Sequence, residues 1–343
     1  GVLTLPGIAA LVLGIGMAVD SNVITFARIR EELLKGKGLA NAFREGSKSS
    51  FSAIIDSNIT TFIVAIIMFL LGESTIKGFA TMLMITVFVT MFTMVFLTRT
   101  LLKIFIHTDF FHDKTNLFIR IKNEDIPDVS KNEKSIPNRF HNVNFFKHKS
   151  IFIAISVILI IIGGIVVGTK GFELGIDYKS GTSIDIMSEK KITKKALQAD
   201  IKKLGYQADS IEINGDDVSI TLDKTVEGDQ VKDIEDYFVK AYDAKVNVGV
   251  VSNVVQRELI KNAVLSVLIA LIGIIVYISI RFKYSYALGG VAALLHDVLM
   301  MFSMFAIFRL EVNPMFIAAI LAIIGYSIND TIVSFDRIRE NLE

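Results

Sequence analysis

The stretch IFIAISVILIIIGGIVVG, residues 151–168, runs for eighteen residues without a charged side chain. A helix needs about 20 mostly apolar residues to cross the hydrocarbon core of a bilayer. Lipid offers no hydrogen-bond partners, so a spanning segment must be a helix or a strand of a closed barrel. Barrel strands alternate apolar and polar residues, and this stretch does not. It is therefore predicted to be a membrane-spanning helix.

Six other segments have the same apolar character, which gives seven predicted spans. They are 5–26, 51–71, 78–98, 151–168, 263–280, 286–308 and 314–335. Hydrophobic types make up 52% of the 343 residues, and the charged residues, 21% of the total, lie mainly between these blocks. That distribution excludes a soluble globular protein and a disordered chain. The chain has no cysteine, which excludes disulfide, thiolate and iron–sulfur chemistry.

Lysine and arginine in the connecting segments predict the orientation, because these residues concentrate in cytoplasmic loops. The loop 27–50 carries six of them, the stretch 99–149 carries ten and the turn 281–284 carries two. The loops 72–77 and 309–313 carry one each. The first three segments and the C-terminus are therefore predicted to be cytoplasmic, and the segment 169–262 is predicted to lie outside.

The region 172–257 has the pattern of a small water-exposed domain. Residues 182–187 alternate, and Thr193 is a predicted N-cap before an apolar helical stripe. Asn214-Gly215 separates two further alternating segments and predicts a hairpin. The order β-α-β-β-α-β is that of the ferredoxin-like fold. We see no catalytic cluster in it and expect a mechanical or binding role.

An internal repeat relates the first span to the last. GMAVDSNVITFARIREEL (16–33) matches GYSINDTIVSFDRIRENL (325–342) at a constant offset of 309 residues. Both copies carry F-x-R-I-R-E at the predicted cytoplasmic end, which apolar composition alone would not produce. Parallel repeats of membrane modules are typical of transporters that work at the interface between them. We interpret the paired arginines mainly as anchors at the headgroup level, with a gate-stabilising ion pair as the alternative.

Acidic residues within the spans, with their polar neighbours, are the candidate functional residues. The set is Asp20, Asn22, Asp56, His296, Asp297, Asn329 and Asp330. A charged acid at the centre of a bilayer costs about 2.5–3.5 kcal/mol on insertion scales, so we expect these acids to face a polar interior. A buried carboxyl can take up and release protons as its surroundings change between dry and wet. For each residue the alternative interpretation is a structural hydrogen bond between helices.

Hydrolytic chemistry is poorly supported. An intramembrane aspartyl protease needs two carboxylates that share a proton, and the G-x-G-D context of such enzymes is absent at Asp20 and Asp330. His296-Asp297 is similar to the histidine–aspartate motif of metal phosphohydrolases, but the second histidine pair that such a metal site needs is absent from the sequence. The five histidines show no metal-ligand spacing, and the net charge of +1 gives no field for nucleic acid. We predict a protein that is not an enzyme and holds no metal or cofactor.

Several of these segments resemble the SecD and SecF family of protein-export membrane proteins. Residues 4–33, with MAVDSNVITFARIREEL, are similar to the fourth span of SecD, and IIDSNITT (54–61) followed by IKGFA (76–80) is similar to its fifth and sixth. The SecF-like segments are GIDYKSGTSIDI (175–186), LHDVLM (295–300) and IIGYSINDTIVSFDRIREN (323–341). SecD preceding SecF in one chain resembles the fused SecDF arrangement within the resistance-nodulation-division (RND) superfamily.

The resemblance implies an α-helical polytopic membrane protein with an RND-type pseudo-two-fold repeat and one extracytoplasmic α+β ferredoxin-like domain. It implies an auxiliary subunit of Sec-dependent protein translocation that couples proton flux to late-stage export. Asp20 matches the SecD acid thought to carry protons, and Asp330 matches the SecF acid that faces it. The chain is then expected to be a fragment with seven of twelve spans, and the essential SecF arginine is expected one helix beyond residue 343.

The resemblance also divides the chain and implies its surroundings. The regions are 1–104 for the SecD-like spans, 105–149 for a cytoplasmic linker, 150–170 for the first SecF-like span, 171–258 for the extracytoplasmic domain and 259–343 for the remaining SecF-like spans. The implied location is the bacterial cytoplasmic membrane. The implied partners are the SecYEG translocon, exported unfolded polypeptides and membrane lipids, and the energy source is a proton gradient. Alternatives are a proton-driven exporter of lipids or small molecules and a non-transporting scaffold of the Sec complex.

Overall fold

The computed structural model describes residues 4–107, 116, 119–121, 126–127, 145–188, 192–222, 224–226 and 228–342. Within these ranges, seven helices are long and apolar enough to cross a membrane, which confirms the predicted number of spans. The predicted linker 105–149 falls largely outside the described residues.

The spans are longer than their apolar runs. Span 1 is Leu5–Leu34, span 2 Leu39–Leu71, span 4 Lys149–Lys170, span 5 Asn253–Arg281, span 6 Tyr284–Phe308 and span 7 Pro314–Leu342. Span 3 consists of an α-helix Ser74–Phe92, a π-helical segment Thr93–Thr98 and an α-helix Arg99–His107. Most of the loop predicted at 27–50 is therefore helical. The contact that stabilises this extension is a close approach of backbones, since a Cβ atom on Gly46 would lie 2.6 Å from the Ile29 nitrogen.

Spans 2 and 7 form the centre of the helical bundle. Span 2 packs against spans 1, 3, 5 and 7. In the apolar 18-residue stretch of each helix, 56% of span 2 and 61% of span 7 is buried. The corresponding share for span 4 is only 6%. Met68 of span 2 and Leu321, Ile324 and Ile328 of span 7 are fully buried in this core. The repeat-bearing span 7 thus has its apolar side fixed by its neighbours.

Span 4 packs against span 6 through small residues. A Cβ atom on Gly163 would lie 2.4 Å from the Cβ atom of Ser303, so glycine is what permits this approach. Lipid is as apolar as the helix surface, so helices associate in a bilayer largely through such close packing. The position of span 4 therefore depends on close packing against span 6 more than on hydrophobic burial.

Gly163→Leu is expected to separate span 4 from span 6, because overpacking of a close contact costs about 1–3 kcal/mol. The chain has no native cysteine, so a cysteine pair introduced at this contact reports on it alone. Its disulfide yield should fall severalfold in the variant. Gly164→Leu is the matched control, since a Cβ atom there would meet nothing within 4 Å. Equal loss of cross-linking in both variants would contradict the packing argument.

The domain between spans 4 and 5 is ferredoxin-like, as predicted. Its elements are β1 Gly181–Met187, α1 Lys194–Lys203, β2 Ala208–Asn214, β3 Asp217–Leu222, α2 Asp229–Tyr242 and β4 Lys245–Val251. The antiparallel sheet has the order β2-β3-β1-β4. Thr193 is in the N-cap position of α1, and Gly215 adopts the positive φ that the hairpin turn requires. Ile184, Ile220 and Phe238 are fully buried in the core that the sheet shares with both helices.

Two very short strands where the domain meets the helical bundle were not predicted. Glu173–Leu174 pairs in parallel with Glu311–Val312 of the loop between spans 6 and 7. Arg309 donates a hydrogen bond of 2.6 Å to the Gly171 carbonyl oxygen and forms an ion pair with Glu173. These contacts place the base of the domain and the 309–313 loop on one side of the membrane, in agreement with the predicted orientation.

Candidate functional site

Spans 1 and 7, which carry the repeat, meet at the predicted acids. Asn329 Nδ2 donates a hydrogen bond of 3.3 Å to Asp20 Oδ2. The 309-residue offset makes Asp20 and Asn329 equivalent positions of the repeat. Equivalent positions contact each other where two repeats meet on a pseudo-two-fold axis. Asp330 follows Asn329 and lies close enough for its charge to act on Asp20. The structure therefore brings Asp20, Asn329 and Asp330 together at the interface of the repeats.

The candidate residues at the repeat interface differ in their exposure. Asn329 is buried, with 5% of its surface exposed, and Asp20 is partly buried. The polar interior expected for Asp330 stays a prediction, although Asp330 is exposed among the described residues. The physical reason is that no other described helix covers the face of span 7 that carries Asp330.

Span 6 extends the polar group. Asp297 Oδ1 lies 2.9 Å from His296 Nδ1, and the hydroxyl of Ser327 on span 7 donates a hydrogen bond to Asp297 Oδ2. Asp297 is also close enough for its charge to act on Asp330. His296 is exposed among the described residues. A series of ionisable groups thus runs from Asp20 through Asp330 and Asp297 to His296.

Asp56 lies in a different environment. It is 6% exposed and accepts hydrogen bonds from the Tyr277 hydroxyl at 2.9 Å and from Arg281 Nε at 2.8 Å. Arg281 also donates to the hydroxyl of Ser52. This arrangement matches the alternative interpretation, a structural link between helices, here between spans 2 and 5. Sequence reasoning used Arg281 only to assign orientation and gave no signal for Tyr277.

Asn22 forms a hydrogen bond within its own helix. Its amide nitrogen donates a hydrogen bond of 3.0 Å to the Ala18 carbonyl oxygen, one turn earlier in the same helix. Its role as a candidate functional residue stays a prediction. The amide reaches its own backbone because a residue four positions earlier lies directly beside it on a helix.

Ion pairs join the two repeats at their predicted cytoplasmic ends. Glu31 pairs with Arg28 at 3.4 Å and with Arg337 of span 7 at 2.8 Å. Arg28 and Arg337 are equivalent positions of the repeat, so one carboxylate bridges both copies. Arg28 is only 8% exposed, which contradicts its interpretation as a headgroup anchor. A paired guanidinium is stable in that position because the carboxylate and hydrogen bonds replace its water.

Glu31→Gln is expected to loosen the cytoplasmic ends of spans 1 and 7. The loss should be about 1 kcal/mol, the upper range for a partly exposed ion pair. Spin labels on the two spans would report it as a broader distance distribution. Glu32→Gln is the matched control, because Glu32 pairs with Lys35 and Lys37 of its own segment. An unchanged distribution in Glu31→Gln would contradict the bridging role.

Outside the spans, carboxyl groups gather where the domain meets the membrane. Burial raises the pKa of Asp177. Burial also raises the pKa of Glu73, with further contributions from the charges of Asp177 and Glu258. These groups take up protons at a higher pH than ordinary carboxyls, so acidification on the outer side reduces repulsion at this junction.

Fold and site together define a polytopic membrane protein built on a pseudo-two-fold repeat, with acidic residues at the repeat interface and one ferredoxin-like domain outside the bundle. The family model described as protein export membrane protein SecD/SecF, C-terminal, matches residues 2–108 and 231–343. The chain belongs to this SecD/SecF family.

Named relatives cover the whole chain. It is 42% identical over 348 residues to the protein translocase subunit SecDF of Bacillus subtilis, covering 100% of this chain and 47% of the relative. It is 33% identical to the SecDF subunit of Brucella abortus, covering 99% of this chain and 44% of that one. The chain thus spans about half the length of these curated relatives.

A solved structure supports the same assignment. The crystal structure of SecDF from Thermus thermophilus, described as a translocon-associated membrane protein, aligns with a TM-score of 0.82 at 32% identity. The alignment covers 99% of this chain and 45% of the Thermus thermophilus chain. SecDF in a super-membrane-facing form aligns with a TM-score of 0.66 at 31% identity.

Proposed function

We propose that this chain is part of an auxiliary subunit of Sec-dependent protein translocation and uses proton flux to assist late-stage export. The partners in this proposal are the SecYEG translocon and exported unfolded polypeptides, and the chain itself performs no bond chemistry. The names of its relatives support the translocation role. The observation that carries the proton coupling is the hydrogen bond from Asn329 to Asp20 at the repeat interface, with Asp330 adjacent.

The energetics of these acids favour a functional role. A charged acid facing lipid at mid-membrane would cost about 2.5–3.5 kcal/mol, and nothing in the packing of span 7 requires an acid at position 330. We infer that the exposed face of spans 1 and 7 lies against other polar groups or water in the working assembly. Ionisable residues retained inside a membrane are by default candidates for ion or proton pathways.

Protonation can change the spacing of the repeats. Two ionised carboxylates, Asp20 and Asp330, repel each other across the interface, and one bound proton removes that repulsion. Asn329 donates to an ionised Asp20, and this hydrogen bond weakens when the acceptor oxygen is protonated. The contact between spans 1 and 7 therefore depends on proton occupancy. The membrane potential adds about 2.3 kcal/mol per charge for each 100 mV crossed.

The extracytoplasmic domain is positioned to respond to this change. It is connected directly to spans 4 and 5, and its base is paired with the loop that leads into span 7. A shift of span 7 relative to span 1 would therefore be transmitted to the domain. We propose that the domain contacts the emerging polypeptide on the outer side.

The test uses the full-length protein reconstituted with SecYEG in proteoliposomes. The late stage of translocation should be stimulated when a proton gradient is imposed, and the stimulation should disappear when an ionophore collapses the gradient. Stimulation that survives collapse would favour the scaffold instead. Failure to co-purify with SecYEG, together with export of a lipid or small molecule, would favour the exporter.

A further inference from the structure

A cationic pocket lies between spans 2 and 3 at their predicted cytoplasmic ends, away from the repeat interface. Its volume is about 350 Å³. Its lining contains aromatic side chains and Ser47. It also contains four basic residues, which are Arg44, Lys48, Arg99 and Lys103. Its lining includes no carboxylate. A concentration of positive charge at one point of the membrane surface suits a phosphate group.

The fold holds Arg99 in the pocket. Its guanidinium lies 4.5 Å from the centre of the Phe51 ring and donates a hydrogen bond of 2.8 Å to the Ser47 carbonyl oxygen. Arg99 is the first residue after the π-helical segment Thr93–Thr98. A π turn contains more residues than an α turn, so it rotates the following residues around the helix axis. That rotation, with the stacking on Phe51, pre-orients one cation before any ligand arrives.

Ser47 provides a second, independent observation. Its side-chain oxygen is buried and has no hydrogen-bond partner among the described residues, although Ser47 is only 6% exposed. A buried hydroxyl without a partner is unfavourable, and a phosphate oxygen would accept its hydrogen bond. The same residue lines the pocket. The cavity therefore offers a hydroxyl donor and several cations to one ligand.

The surroundings of the pocket identify the source of the phosphate. On the helix Arg99–His107, Leu101, Ile104 and Phe105 are 45%, 57% and 47% exposed. Large apolar side chains on the same short helix as Arg99 and Lys103 indicate that this helix lies at the level of the lipid. We propose that the pocket binds the headgroup phosphate of an anionic phospholipid from the cytoplasmic leaflet. Basic pockets between membrane helices on this side are suited to such headgroups.

The proposal is tested with the full-length protein in phosphatidylcholine nanodiscs containing a small fraction of phosphatidylglycerol, with bound lipid measured by native mass spectrometry. Lys48→Gln should weaken retention of phosphatidylglycerol about fivefold, as expected for one basic residue near an anionic surface. Ser47→Ala leaves the charge unchanged and should also weaken it about fivefold, because one hydrogen bond is lost. Arg99→Gln should have a larger effect than either.

Lys283→Gln is the matched control, since Lys283 is an exposed cation at the same predicted membrane face and does not line the pocket. Unchanged retention in this control, with losses in the Lys48 and Ser47 variants, supports the proposal. Equal loss in all variants would overturn it in favour of diffuse surface charge. Displacement of the lipid by soluble glycerol phosphate at similar concentration would also overturn it, because the site would then bind free phosphate esters.

Discussion

Full-length protein carrying Asp330→Asn is expected to lose its proton flux and its gradient-dependent stimulation of export, and Asp20→Asn is expected to have the same effect. Asparagine has nearly the shape of aspartate but cannot exchange a proton. A positioned proton-transfer group typically contributes 10²–10⁴-fold to a rate, so proton flux should fall on the order of a hundredfold. A pH-sensitive dye inside proteoliposomes measures the flux, and protease protection of a stalled substrate measures the export.

Two controls separate titration from folding. Asp20→Glu keeps an exchangeable proton and should retain part of the flux. Asp209→Asn makes the same chemical change in the outer domain, where Asp209 pairs with Lys179 at 3.2 Å, and should leave flux unchanged. If Asp20→Asn and Asp330→Asn conduct protons like the unmodified protein, the proposed relay is excluded.

The parts of the fold that could be predicted depend on short-range sequence patterns. Seven apolar runs and the alternating strands around Asn214-Gly215 each carry their signal within about 20 residues. The helical extension across 27–50 could not be predicted, because it is stabilised by the backbone contact between Gly46 and Ile29. The pairing of Glu173–Leu174 with Glu311–Val312 joins distant segments and likewise has no local signal.

The candidate functional site could also be predicted only in part. The 309-residue repeat allowed Asp20 and Asn329 to be equated, and they form a hydrogen bond. The repeat carries no information on contacts between unrelated spans, so the partnership of Asp56 with Arg281, 225 residues apart, was missed. A carboxylate and an arginine near the same predicted membrane face are a signal that could have suggested the pair. Exposure of Asp330 was also beyond sequence reasoning, because it depends on which helices cover span 7.

Arg281→Gln is expected to destabilise the contact between spans 2 and 5 more than any other single change at that contact. Asp56 would stay buried with a negative charge and, among the described residues, would keep only the Tyr277 hydroxyl as a side-chain hydrogen-bond partner. Breaking a buried ion pair costs about 3–5 kcal/mol, and the lower end applies because Arg281 keeps 32% exposure. Thermal unfolding in detergent should show a fall in Tm on the order of 5 °C.

The double variant Asp56→Asn with Arg281→Gln distinguishes a structural role of this ion pair from a role in proton transfer. With no charge left, the two amides can hydrogen-bond to each other, so the double variant should recover most of the Tm lost in Arg281→Gln. A structural pair predicts unchanged proton flux once the Tm is restored, because the proposed relay consists of Asp20 and Asp330. Loss of flux in a double variant of restored Tm would instead place Asp56 in the proton pathway, and an unchanged Tm in Arg281→Gln would contradict the buried-pair argument.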